Sequence, residues 1–79
     1  MTESKIQKKI IERYEKDGYY VLKLTTTNKN GIPDLVCLKP NEVIFIEVKR
    51  PKVGVLSKLQ KYRIEELEEL GFKALVLTA

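Results

Sequence analysis

The chain contains no histidine, and this absence limits its chemistry more than any other feature of its 79 residues. Without an imidazole group there is no Ser–His–Asp triad, no histidine-ligated zinc and no histidine general base. The single cysteine, Cys37, excludes an internal disulfide and a zinc cluster of cysteines, and it favours a reducing, intracellular location. Any hydrolysis therefore has to rely on metal-bound water, supported by carboxylates or a lysine.

The sequence also lacks a run of apolar residues long enough to span a membrane, and its polar, basic N-terminus has no signal-peptide pattern. We therefore expect an intracellular, cytoplasmic protein with no membrane partner. Residues 1–79 are enough for one small domain. A domain of this size buries only about 60% of its unfolded surface, so its core is marginal and a partner subunit would help it.

Positive charge exceeds negative charge, with 15 lysines and arginines against 11 acidic residues and a net charge of +4. A basic surface favours nucleic acid as a partner, although this excess is mild. The hydrophobic content of 43% is typical of a globular protein and argues against disorder.

Two apolar runs rich in β-branched residues flank a short polar connection within residues 32–49. The runs are I-P-D-L-V-C-L and V-I-F-I-E-V-K, and the connection is K-P-N-E, Lys39–Glu42. This pattern predicts a β-hairpin. With a four-residue loop, Leu38 faces Val43, and the register of the two strands is fixed.

In that register Asp34 faces Glu47, with Cβ atoms roughly 5 Å apart. Lys49 lies on the same face as Glu47, because side chains alternate along a strand. Like charges this close repel by roughly 3 kcal/mol at an effective dielectric constant of about 20. Two interpretations remain open: a divalent cation bound between the acids for phosphodiester hydrolysis, or a salt-bridge cluster in which Lys49 neutralises both acids.

The remaining elements follow from periodicity and capping signals. Cys37, on the opposite face from Asp34, is expected to be a small core residue. The predicted elements are a helix from Glu3 to about Asp17 capped by Thr2 and ended by Gly18, a strand over Tyr19–Thr25, a polar loop over 26–31, a helix from Ser57 to Leu70 stopped by Gly71, and a strand over Lys73–Thr78. The order αβββαβ predicts an α/β fold: a four-stranded mixed sheet flanked by helices, with three antiparallel strands and the last strand parallel to the third.

Two polar residues fall on the apolar stripes of the predicted helices. Glu3 precedes Ile6 on the inward stripe of the first helix; it is either part of a site or a first-turn acid near the positive end of the helix dipole. Gln60 has the spacing of a capping box with Ser57, S-x-x-Q, and on the residues alone this explanation is favoured over an inward-pointing amide.

The residues Pro33-Asp34 and Glu47-Val48-Lys49 match the PD-(D/E)XK signature of the restriction-endonuclease-like superfamily, whose core is αβββαβ. The segments E-S-K-I-Q, G-I-P-D, I-E-V-K and L-S-K-L-Q add to the agreement. Together they resemble the virus-type replication-repair nuclease (VRR-NUC) family in its small stand-alone form from phages and bacteria. The resemblance covers the whole chain, residues 1–79, as a single VRR-NUC nuclease domain.

The resemblance implies a metal-dependent DNA endonuclease in a bacterial or phage-infected cell, specific for branched DNA such as Holliday junctions or flaps. Mg²⁺ or Mn²⁺ would be held by Asp34, Glu47 and the carbonyl of Val48, with Glu3 completing or supporting the shell. Lys49 would orient the attacking water, and Gln60 would act near the site. The implied catalytic residues are thus Asp34, Glu47, Lys49, Gln60 and Glu3.

Basic residues next to the site in sequence are candidates for holding DNA phosphates: Arg50, Lys52, Lys58, Lys61 and Arg63. We also expect a homodimer, because a core of this size is marginal and Tyr19, Tyr20, Phe72 and the outer helix faces offer apolar surface. The alternative is a non-catalytic nucleic-acid-binding subunit that keeps the fold without the activity. The intact Asp34, Glu47 and Lys49 favour the enzyme.

Overall fold

The six elements occur in the predicted order, helix, three strands, helix and strand. The structure is a computed structural model that describes residues 2–78. Its elements are α1 (Glu3–Lys16), β1 (Tyr20–Lys23), β2 (Leu35–Lys39), β3 (Glu42–Val48), α2 (Lys58–Glu69) and β4 (Lys73–Leu77).

The four strands form one mixed sheet in the order β1-β2-β3-β4. β1, β2 and β3 pair antiparallel, and β4 pairs parallel with β3, as the sequence predicts. The connection from β3 to β4 contains α2, which allows the two strands to run in the same direction.

The hairpin of β2 and β3 has the predicted register but a shorter loop. Leu38 pairs with Val43 as expected, and pairing continues to Lys39 and Glu42, so that only two residues form the turn. The expected four-residue loop is therefore wrong. The chain turns this tightly because Pro40 presets its own φ angle and Asn41 tolerates a positive one, here 63°.

One face of the sheet packs against α1 and forms the core. Ile6 and Ile10 of α1 are buried there, as predicted, and Cys37 is a buried free cysteine in the same cluster. The rest of this cluster consists of Leu35, Ile44, Ile46 and Val48. The hydroxyl of Thr2 accepts a hydrogen bond from the backbone N–H of Lys5, which caps α1 as expected.

The other face of the sheet is only partly covered. α2 packs on β4, yet none of its residues is buried. Tyr20 and Leu22 of β1 project from this face and are 67% and 42% exposed. Within residues 2–78 no helix is both long and apolar enough to traverse a lipid bilayer.

Candidate active site

Asp34 and Glu47 lie side by side at one end of the sheet. Asp34 immediately precedes β2, and Glu47 is the last residue but one of β3. The last observed pair of the ladder is Leu35 with Ile46, so the next step along it brings the two acids together, as the sequence predicts. Glu47 is 2% exposed and is the only charged residue among the buried residues of the described chain, residues 2–78.

The backbone at this corner is held by Asp34 itself. Its Oδ2 accepts a hydrogen bond of 2.8 Å from the N–H of Val48. The N–H and C=O of an extended residue point to the same side, so the carbonyl of Val48 also faces the Asp34 side. The residue opposite it in the register is Pro33, which has no N–H to donate. The Val48 carbonyl is thereby left without a ladder donor, beside the carboxylate.

Lys49 and Gln60 both approach the same oxygen of Glu47. The Nζ of Lys49 lies 3.5 Å from Glu47 Oε2, and the Nε2 of Gln60 donates to that oxygen at 3.3 Å. Within the described part of the chain, Lys49 forms no ion pair with Asp34. The cluster therefore contains two carboxylates and one ammonium group, and the interpretation in which Lys49 neutralises both acids is not what the geometry shows.

Gln60 performs both of the roles that the sequence left as alternatives. Its Oε1 accepts a hydrogen bond of 3.0 Å from the N–H of Ser57, and its own N–H donates to the Ser57 hydroxyl, which completes the capping box. Because the amide oxygen is used in the cap, the NH₂ group is the one turned towards Glu47. The helix cap thus fixes the orientation of the amide at the site.

The surroundings of Glu47 disfavour its charged form. Burial, the charge of Asp34 and a hydrogen bond with Asp34 raise the pKa of Glu47 from 4.5 to about 7, although Lys49 opposes the shift. The single ammonium group of Lys49 therefore does not offset burial and the neighbouring carboxylate.

The oxygens that remain suit a hard divalent cation. In residues 2–78 no N–H group donates to Asp34 Oδ1 or Glu47 Oε1, and strand geometry turns the Val48 carbonyl towards the Asp34 side. Mg²⁺ is commonly held by one or two carboxylates, with water and substrate phosphate completing its shell. The donor set fits this requirement.

Glu3 is not brought to this pair. It is the first residue of α1 and exposed to solvent. No group of three histidine, cysteine or acidic side chains converges as a metal site anywhere between residues 2 and 78. The position of Glu3 near the positive end of the helix dipole matches the alternative of a first-turn acid. The role of Glu3 in the metal shell stays a prediction.

The predicted phosphate-binding residues lie in the segment after β3 and in α2, whose Gln60 contacts Glu47. Four of them are exposed and form no ion pair with a described acid: Arg50, Lys52, Lys58 and Lys61. Lys52 has a φ of 68°, in a tight turn closed by a 2.8 Å bond from Val53 N–H to the Pro51 carbonyl. Strain of this kind is often found at functional sites.

Arg63 has a different role from the one expected. Its Nε donates to the carbonyl of Asn30 at 2.9 Å and its Nη1 pairs with Glu66 at 3.1 Å, so it braces the β1–β2 loop against α2. The same loop touches α2 at Gly31, where an added Cβ would lie 2.6 Å from Leu59 Cγ. Sequence reasoning missed this brace; the only signal was the polar T-T-T-N-K-N-G segment.

Comparisons with known proteins agree with the geometry. A family model described as the VRR-NUC domain matches residues 20–79. A solved structure described as a VRR_NUC domain superposes with a TM-score of 0.86 at 29% identity, covering 98% of this chain and 84% of that chain.

A protein of Sulfurisphaera tokodaii named crossover junction endodeoxyribonuclease Hjc is 29% identical over 71 aligned positions. The match covers 86% of this chain but 49% of that protein, so the chain spans about half the length of this relative. The family model, matching most of the chain, and the shared fold show that this chain belongs to the VRR-NUC domain family.

Proposed function

We propose that this chain is a metal-dependent endodeoxyribonuclease that hydrolyses phosphodiester bonds in branched DNA. The observation that carries the proposal is the pairing of half-buried Asp34 with buried Glu47, with Lys49 as the only cationic partner of these acids among residues 2–78. Two acids at this distance weaken the fold unless a cation joins them. Branched DNA is proposed as substrate because a relative carries the name of a crossover junction endodeoxyribonuclease.

Mg²⁺ or Mn²⁺ would be held by Asp34, Glu47 and the carbonyl of Val48. When bound, such an ion supplies Lewis acidity at the phosphate and neutralises the two acids. Gln60 keeps Oε2 of Glu47 occupied, which leaves the other oxygen to face the ion.

Lys49 is the basic side chain that contacts the acid pair, and it would act on the reacting phosphate. Its ammonium group is held by Glu47 and is largely buried, with 15% of the side chain exposed. From there it donates hydrogen bonds to the attacking water or a phosphate oxygen and offsets the negative charge that grows during in-line attack. The unpaired Arg50, Lys52, Lys58 and Lys61 hold the flanking backbone without reading bases.

We also propose that the chain acts as a homodimer. The partly covered sheet face presents Tyr20, Leu22 and Phe72, with exposures of 67%, 42% and 40%. A second copy related by a twofold axis would cover this surface and would bring two sites to a junction of matching symmetry. Tyr19 takes less part than the sequence suggested, since it packs on the core and donates to Glu42 at 2.6 Å.

A panel of labelled DNA substrates tests the function. Duplex, flap, single-stranded and four-way-junction DNA are incubated with Mn²⁺ and with EDTA, for the wild type and for Asp34→Asn. We expect cuts in branched DNA that require Mn²⁺ and are lost in Asp34→Asn, which keeps an acceptor for Val48 N–H. Tight binding of branched DNA without any cleavage would instead identify the non-catalytic nucleic-acid-binding subunit.

A further inference from the structure

A polar cleft of about 300 Å³ opens beside the site, in the loop between β1 and β2. Residues 24–27 and 29–32 line it. Three threonines, one lysine and one asparagine contribute to this wall, so its chemistry is that of hydroxyl, amide and ammonium groups rather than of an apolar pocket.

The cleft is tied directly to the acid pair. The N–H of Leu24, in the cleft wall, donates to the carbonyl of Asp34 at 2.8 Å. Gly31, which also lines the cleft, precedes Asp34 by three residues and so lies within about 11 Å of it along the chain. The cleft therefore flanks the site on its β1 side, while Arg50 and Lys52 follow β3 on the other side.

The loop holds its shape through contacts within itself and with α2. Arg63 of α2 binds the Asn30 carbonyl, and the Thr27 hydroxyl donates to the carbonyl of Lys29 at 2.6 Å. Leu59 packs closely on Gly31. A ligand would therefore meet a formed cleft and would not have to order a loose segment.

Three donors in the wall are not used by the fold. Between residues 2 and 78, the hydroxyls of Thr25 and Thr26 form no hydrogen bond and the ammonium of Lys29 forms no ion pair. All three residues are exposed to solvent. Hydroxyl and ammonium donors around one opening match the oxygens of a phosphodiester, the group that such side chains contact most often in DNA.

We propose that this cleft binds a backbone phosphate adjacent to the scissile one on the same DNA strand. The inference rests on the proposed nuclease function and extends it. The DNA strand would cross the end of the sheet with the scissile phosphate at Asp34 and Glu47. The phosphates on one side of it would lie on the basic residues after β3, and the adjacent phosphate on the other side would lie in the cleft. Thr25, Thr26 and Lys29 would then set how the strand is held, without touching the reacting atoms.

Cleavage kinetics on a four-way junction in Mn²⁺ test this role. We expect Lys29→Gln, and separately the double variant Thr25→Val/Thr26→Val, to raise KM about tenfold with kcat unchanged, because charge-assisted hydrogen bonds to phosphate are lost. Lys29→Gln should also flatten the slope of log affinity against log salt by about 0.7 to 0.9, the loss of one phosphate contact. The matched control is Lys16→Gln, an exposed lysine at the end of α1, outside both the site and the proposed dimer contact.

A second measurement separates this proposal from the nuclease function. A ¹⁵N-labelled sample is titrated with a single-stranded tetranucleotide, and the amide shifts of residues 25–31 are followed. If the wild type cuts DNA while these amides stay still and the variants match Lys16→Gln, the subsite is refuted and the nuclease function stands. If the amides shift but the wild type cuts no DNA, the subsite stands as a nucleic-acid site and the nuclease proposal falls. If the amides do not shift and the wild type cuts no DNA, both proposals are overturned.

Discussion

The carboxyl group of Glu47 is buried beside Asp34, although the fold does not require a carboxyl group at this position. An apolar residue at position 47 would continue the pattern of β3 and remove the repulsion. The hydrogen bond from Gln60 and the ammonium of Lys49 reduce the cost without cancelling it, because the pKa of Glu47 is still raised. At the residue scale, the site therefore lowers the stability of the metal-free protein, and a bound cation would restore that stability.

The stability of the metal-free protein should fall as pH rises, and Glu47 should cause the fall. Its folded pKa of about 7 lies above the reference value of 4.5. The folded state therefore holds the proton more tightly, and the stabilisation present below pH 4.5 is lost as pH rises through 7. We expect the free energy of unfolding, relative to Glu47→Gln, to drop by up to roughly 3 kcal/mol.

Urea unfolding of both proteins in EDTA, at intervals from pH 4 to pH 8, measures this difference. The Glu47→Gln variant carries no titrating group at position 47, so the comparison removes the contributions of acids that do not interact with Glu47 and isolates the coupled pair of Asp34 and Glu47. A difference between the two proteins that stays constant with pH would mean that Glu47 is ionised at no cost in the fold.

Two elements converge on Glu47, β3 through its own backbone and α2 through Gln60. The capping box could be predicted from the spacing of Ser57 and Gln60, and it is present. The contact of the same amide with Glu47 could not be predicted from the sequence, because it depends on how α2 packs against the sheet. Sequence spacing defines interactions within an element, whereas packing between elements is set by the whole fold.

Ser57→Ala and Gln60→Ala should separate the cap from the site. Ser57→Ala removes the hydroxyl of the cap but keeps the backbone N–H that holds the Gln60 oxygen. It should cost about 1 kcal/mol of stability and leave cleavage near the wild-type rate. Gln60→Ala should lose similar stability and in addition lower kcat at least tenfold. Equal cleavage rates in the two variants, at a temperature where both are folded, would limit Gln60 to capping.

The hairpin shows where sequence reasoning succeeds and where it stops. Alternation and the apolar pattern fix the register, so that Asp34 and Glu47 could be paired correctly before any coordinates. The length of the turn was predicted wrongly, because it depends on the positive φ of Asn41, a local choice that hydrophobic pattern does not encode. The brace of Arg63 on Asn30 was also missed, since the two residues are far apart in the chain.

At the scale of the whole molecule, the uncovered sheet face predicts association. α1 contributes none of the exposed large apolar side chains found among residues 2–78. The expected contact surface, which included the outer faces of both helices, is therefore reduced to β1, the β3–α2 connection, α2, Phe72 and β4. We expect light scattering at micromolar concentration to give twice the 9.2 kDa of one chain.

Tyr20→Glu should shift this mass to that of the monomer without unfolding the protein, because Tyr20 is 67% exposed in the single chain. Lys16→Glu, on the outer face of α1, is the control and should remain dimeric. A monomer mass for the wild type would refute the dimer. Two independent encounters of the monomer with a junction would then be needed to cut both strands.

The most direct test of the two-carboxylate centre is a calorimetric titration of Mn²⁺ into the metal-free protein. We predict saturable binding to the wild type that is lost in both Asp34→Asn and Glu47→Gln, with each variant shown to be folded by circular dichroism. The same titration of Glu3→Gln decides whether that residue supports the shell. Binding of Mn²⁺ that is equal in the wild type and in both carboxylate variants would contradict the assignment of Asp34 and Glu47 as the metal centre.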